Sequence, residues 1–237
     1  MTGWHEGPFL AFDTETTGTD CDVDRIVTAT TVLLQPGAQP EVTSWLINPG
    51  VPIPAEATAV HGITDDHALT HGRPPAECLA EIARNFETAI LCEVPVLVYN
   101  APYDLTIFDR ELHRHLGTGL GPFTPTLVLD PFVIDKAVDR YRKGKRTLTA
   151  ACEHYGVTHG GAHDATADAL AAARVMWALA RRHPAVGGRS LPELHADQVR
   201  WAAEQAASFR DYLIKQGRTD DLPTGEWPMR VLEQVAA

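Results

Sequence analysis

Apolar residues fill positions 9–12 and run directly into Asp13. This pattern predicts a buried strand that ends at a polar turn. Two stretches rich in β-branched residues follow, RIVTATTVLL at 25–34 and EVTSWLI at 41–47, separated by the turn signal QPGAQP. They predict a hairpin. NPGVPIP at 48–54 predicts a loop. Residues 76–90 carry Leu79, Ile82, Ala83 and Phe86 at helical spacing, and VPVLVY at 94–99 predicts another buried strand.

Pro102 can open a helix, whose apolar face would be Leu105, Phe108 and Leu112. TLVL at 126–129 predicts a short strand and 147–155 a short helix. The Ala-rich stretch 164–182 predicts a long helix that ends at His183-Pro184. AVGGRS at 185–190 predicts a linker. A second long helix is expected over 191–216, with Trp201, Phe209, Tyr212 and Leu213, and the residues after it show little periodicity. Strands first, then strand and helix in alternation, predict an α/β fold with a mixed sheet. The near-continuous apolar strands predict helices on both faces.

The chain has 237 residues, 44% of them hydrophobic, enough for one substantial core with an appended segment. Accordingly 1–184 is expected to be the main domain and 185–237 a linker with a helical C-terminal extension. No apolar run reaches the roughly 20 residues of a membrane span, and no secretory signal is visible at the N-terminus. Cys21, Cys78, Cys92 and Cys152 are scattered without metal-ligand spacing, which predicts free thiols and a reducing cytoplasm. A net charge of −11 argues against a protein that merely coats nucleic acid. It is compatible with an enzyme that grips phosphates through bound cations.

Three clusters hold the candidate chemistry. Asp13 and Glu15, two apart on a strand, share a face, and a divalent cation would relieve their repulsion. Thr16-Thr17-Gly18 then offers hydroxyls and backbone N–H groups to a phosphate or ribose. Asp104 follows the strand at 94–99, in the first turn of a helix, where open α/β sheets place their sites. His163 and Asp168 would stand about 140° apart on one continuous helix. Gly160-Gly161 instead predicts a loop that carries His163, with Asp164 capping the helix from which Asp168 projects.

Taken alone, each cluster also reads as ordinary: a polar turn, an acid that complements a helix dipole, a solvated helix start. Together they form an all-oxygen ligand set suited to magnesium or manganese, with a histidine able to accept a proton from water. Lys136, Arg140, Arg142, Lys143, Lys145 and Arg146, with Tyr141 among them, form a basic cluster. It reads either as a loop that holds a phosphate backbone or as a solvated charge run.

FDTETTG (12–18), YNAPYD (99–104) and HDATAD (163–168) resemble the three motifs of the DEDDh 3′→5′ exonucleases, a family that includes the proofreading subunit of bacterial replicative DNA polymerase. HGIT at 61–64 resembles a family segment near the terminal nucleotide. The resemblance covers roughly 8–182. It implies a ribonuclease-H-like fold, a five-stranded mixed sheet flanked by helices, and two bound Mg2+ or Mn2+. It implies that Asp13 bridges both cations, that Glu15 and Asp168 complete the first site, that Asp104 supports the second, and that His163 is the general base. Thr16, Thr17, His61, Asn100 and Tyr103 would touch the 3′-terminal nucleotide.

The implied partner is a single-stranded or frayed 3′ end, DNA rather than RNA, in proofreading or repair. An exoribonuclease and an inactive nucleic-acid-binding module are the alternatives. The chain shows no short glutamine-plus-hydrophobic peptide of the kind by which proofreading subunits bind the sliding clamp.

Overall fold

A computed structural model describes residues 3–121, 124–220 and 222–231. Residues at the outer ends of the expected 1–184 and 185–237 regions lie outside this set. The sheet has five strands: β1 (Phe9–Thr16), β2 (Ile26–Leu34), β3 (Glu41–Leu46), β4 (Val96–Leu97) and β5 (Val128–Leu129). Their order is β3-β2-β1-β4-β5. The first three pair antiparallel, while β4 and β5 add parallel to β1. This is the expected five-stranded mixed sheet.

Alternation along β1 divides the core in two. Leu10 and Phe12 face α3 (Pro75–Leu91) and α4 (Ala101–Leu116), where Phe12, Phe86 and Phe108 pack ring to ring. Phe9 and Ala11 face α6 (Leu148–Tyr155) and α7 (Ala165–Arg182), whose alanines let the helix lie close to the strands. Small α1 (Ala55–His61) and α2 (Asp65–His71) fill the stretch between β3 and α3. Neither they nor α5 (Pro131–Val138) is expected from the sequence pattern. α1 buries no side chain and α2 only Ala68, so they carry no apolar face to read.

Three other expectations change. β1 does not stop at Phe12: it continues to Thr16, because Asp13 and Glu15 pair across with Thr30 and Thr28 of β2. The strand expected over 94–99 pairs with β1 only at Val96 and Leu97. The expected linker at 185–190 begins within a packed helical turn, α8 (Pro184–Gly187), with Val186 buried and its carbonyl accepting the indole N–H of Trp4.

α9 (Leu191–Lys215) covers the outer edge of β5. His195 Nδ1 accepts the Val128 N–H (3.1 Å), and Gln198 bonds both the Val128 carbonyl (2.9 Å) and the Asp130 N–H (2.7 Å). These side chains supply the partners that a sixth strand would otherwise provide. Trp227, beyond α9, is buried in the same core. All four cysteines are free thiols. Among the described residues no helix is long and apolar enough to cross a membrane.

Candidate active site

The shortness of β4 creates the site. Beyond Ala11, β1 has no strand beside it on the β4 side. The N–H of Thr14 instead donates to Asp104 Oδ1 (3.0 Å), and the Thr14 hydroxyl donates to the same oxygen (2.7 Å). Asp104 thus takes the place of missing backbone and is drawn, buried, to the end of β1. Its helix is aimed by Asp130. That carboxylate, wholly buried, accepts the N–H groups of Asn100 (2.9 Å), Ala101 (3.0 Å) and Phe132 (3.0 Å) and the indole N–H of Trp227 (3.2 Å). Asn100 sits in the left-handed region (φ 65°) at the head of α4, which turns the chain out of β4.

Asp13 and Glu15 share the β1 face that packs on α7, and Asp168 approaches from the first turn of that helix. Asp164 caps α7 by accepting the Ala167 N–H (2.9 Å), as the sequence leads one to expect. His163 lies on the preceding loop in the left-handed region (φ 63°), after Gly160 (φ 91°) and Gly161 (φ 152°). Its backbone N–H donates to Asp168 Oδ2 (3.1 Å). Ligand atoms of Glu15, His163 and Asp168 lie within 4.8 Å of one another. Asp13, Glu15, Asp104, His163 and Asp168 line one cleft of about 560 Å³, together with Asn100, Tyr103, Phe132 and Lys145.

The electrostatics fit a cation site. Burial, then the charges of Asp104, Asp168 and Glu15, hold the Asp13 carboxyl well above its ordinary pKa. Glu15 is pushed up to about 7 by burial and by Asp168 and Asp104. Asp104 also rises to about 7 through burial, against the two bonds from Thr14. Acids that raise one another's pKa in this way lack a counter-charge. Hard carboxylate oxygens are the donors that Mg2+ and Mn2+ prefer.

The expected nucleotide contacts divide. Tyr103 and Asn100 reach the cleft. The Tyr103 hydroxyl is tied to Thr16 and to the Gly18 carbonyl, so it fixes the turn after β1. Thr17 is buried, its hydroxyl donating to Asp24 Oδ1 (2.7 Å) and accepting the Arg25 N–H (3.0 Å). Its side chain therefore braces the turn and does not face the cleft, contrary to expectation. His61 lies near His163, with Nδ1 accepting the Ile63 N–H (3.1 Å) and Nε2 buried without a partner among the described residues. Burial holds its pKa down against the opposing pull of the Thr16 backbone, and His163 adds to the lowering.

The basic cluster also divides. Arg142 and Arg146 are committed to the buried Asp135; Arg146 also lines the cleft, as Lys145 does. One contact escaped the sequence reading: the ring of His159 bonds Asp168 Oδ1. The only signal for it was a second histidine on the far side of the Gly-Gly pair.

Residues 10–176 match the family model described as Exonuclease. The chain belongs to this exonuclease family. It is 36% identical over 189 residues to a DNA polymerase III subunit epsilon-like protein of Rhodobacter capsulatus, a match that takes in 77% of this chain and 25% of the relative. A PolC-type DNA polymerase III of Lacticaseibacillus paracasei is 26% identical, over 72% of this chain and 11% of its own length. The chain thus spans a quarter or less of these relatives. Among solved structures, E. coli exonuclease I in complex with a dT13 oligonucleotide superimposes with a TM-score of 0.64 at 21% identity, covering 76% of this chain and 42% of that one. Exonuclease I of Methylocaldum szegediense gives 0.58 at 24% identity, covering 75% and 41%. The exonuclease family and the exonuclease I fold agree with the ribonuclease-H-like architecture expected from the motifs.

Proposed function

We propose that this exonuclease hydrolyses phosphodiester bonds at DNA 3′ ends and releases 5′-mononucleotides, in proofreading or repair within a cytoplasm. The observation that carries the reading is the convergence of Asp13, Glu15, Asp104, Asp168 and His163 on one cleft, with Asp13, Glu15 and Asp104 short of positive charge. The names of the relatives support DNA as substrate and replication as the setting. The oligonucleotide held by E. coli exonuclease I supports a single strand.

Asp13, Glu15, Asp104 and Asp168 would hold two Mg2+ or Mn2+. When bound, such cations neutralise the scissile phosphate and lower the pKa of water. The chain's own groups do the rest. His163, exposed beside Glu15 and Asp168, accepts the proton of the attacking water. Its backbone bond to Asp168 ties the base to the acid cluster. Asn100, Tyr103 and Phe132 form the wall against which the terminal nucleotide rests. Nε2 of His61, whose Nδ1 is already an acceptor, is left to donate.

The test is a time course on 5′-labelled single-stranded DNA, with a closed circle and a matched RNA as controls. Products should shorten stepwise from the 3′ end and yield 5′-mononucleotides, while the circle survives and EDTA stops the reaction. Cutting of the circle would make the enzyme an endonuclease. Preference for RNA would replace the substrate class.

A further inference from the structure

A groove of about 460 Å³ runs between the end of α5 with its following loop and the exposed side of α9. One wall is basic: it carries Lys136 and Arg140, beside Arg142, which is already paired with Asp135. The other is aromatic, with Trp201, Phe209 and Tyr212, and also holds Glu204, whose charge is met by Arg200 (3.4 Å). Phe209 and Tyr212 are 51% and 56% exposed, large values for rings that pack against each other nearly parallel, centroids 6.3 Å apart. Soluble proteins seldom leave such rings in water without a use for them. Opposite them, Lys136 and Arg140 form no ion pair with any described carboxylate. In a chain of net charge −11, unpaired cations gathered on one wall form a local field of the opposite sign.

The groove joins the catalytic cleft. Arg146 lines both, and Lys136, in the groove wall, stands 4.6 Å over the ring of Phe132, which lines the cleft. A ligand with regularly spaced negative charges and flat faces between them fits a basic wall facing an aromatic one, and single-stranded nucleic acid is such a ligand.

We propose that this groove holds the part of the single strand upstream of the terminal nucleotides: phosphates on the α5 side, bases stacked on Phe209 and Tyr212. The proposal rests on the exonuclease reading and assigns to α9 a part in substrate binding. The strand would leave the cleft past Phe132 and continue along α9 with no base read by sequence.

The experiment measures binding by fluorescence anisotropy of labelled oligothymidylates, about three and about twenty nucleotides long, chosen to fall below and above the span of such a groove. The proteins are the wild type, F209A/Y212A and R140E, all changed at exposed side chains. Wild-type affinity should rise at least about ten-fold from the short to the long strand, since stacking of even one or two bases supplies that much. Both variants should lose about ten-fold affinity for the long strand, and R140E should flatten its salt dependence. Unchanged long-strand affinity in both variants would overturn the groove. So would preferential capture of an acidic peptide, poly-glutamate, over the strand. The two readings fail separately. A wild type that binds the long strand with this dependence yet never shortens it keeps the groove and loses the exonuclease. A wild type that shortens it while both variants bind normally does the reverse.

Discussion

His163 occupies a backbone conformation that costs a residue with a Cβ about 1–2 kcal/mol. The cost places an exposed imidazole beside Glu15 and Asp168, where a helical residue at the same spacing from Asp168 would point away. Because the ring is exposed, its removal leaves the α7 cap at Asp164 and the acid cluster in place. The variant H163A is therefore expected to fold and bind cations as the wild type does, while its single-turnover rate falls by about 10²–10⁴-fold. Added imidazole, free to enter the vacated and solvent-open position, should restore part of the rate. A variant as fast as the wild type would remove His163 from the chemistry and direct attention to His159, the other imidazole at Asp168.

At the level of elements, one buried carboxylate joins three parts of the chain. Asp130 follows β5, caps α5, receives the first N–H groups of α4 and holds the Trp227 indole. Replacement by Ala removes a helix cap, worth about 1 kcal/mol. It also strands several buried donors at about 1 kcal/mol or more each. Urea unfolding of D130A should show a loss of about 3 kcal/mol, with the slope unchanged; a loss under about 1 kcal/mol would mean that water replaces the carboxylate. In the sequence Asp130 reads only as a cap before Pro131; its bonds to the head of α4 and to the Trp227 indole join groups that the fold alone brings together. The acids that line the cleft were legible, since each lies in a short motif whose neighbours fix its direction. The long elements were legible for a similar reason: Leu79, Ile82 and Phe86 on α3 repeat with the helix. α1 and α2 are not legible, since Ala68 is all that they bury, nor is the end of β1, because its partner Thr30, not its own polarity, decides whether Asp13 stays in the sheet. Thr17 faces inward for a reason equally hidden from the sequence, a bond to Asp24 across the turn.

Over the whole molecule the acid cluster is a cost to the metal-free fold. Glu15 and Asp104 are both raised to about 7, above the values they take in an unfolded chain. The folded state therefore binds protons that the unfolded state has already released. Stability is greatest below the unfolded values and is lost as pH rises toward 7. Burial holds the pKa of His61, His154, His183 and His195 down, which acts in the opposite sense over the same range, so the share of the acids is read by difference. With EDTA present, the melting temperature of E15Q/D104N relative to the wild type should rise by on the order of 5 °C between pH 5 and pH 8, and Mn2+ should stabilise the wild type most strongly at the higher pH. A difference that is flat with pH would mean that the acids are compensated without a cation.

The short parallel strands also govern when the protein becomes competent. β1 to β3 form a meander of near neighbours in the chain and can associate early, bringing Asp13 and Glu15 with them. Asp104 needs β4 to stop after Leu97, and Asp168 needs the helix that crosses β1 much later in the chain. A nascent chain that has not yet delivered α7 holds three of the four acids but lacks Asp168 and the helix that closes the cleft over β1. The acid site is therefore assembled only when α7 closes over the face of the sheet that carries Asp13 and Glu15.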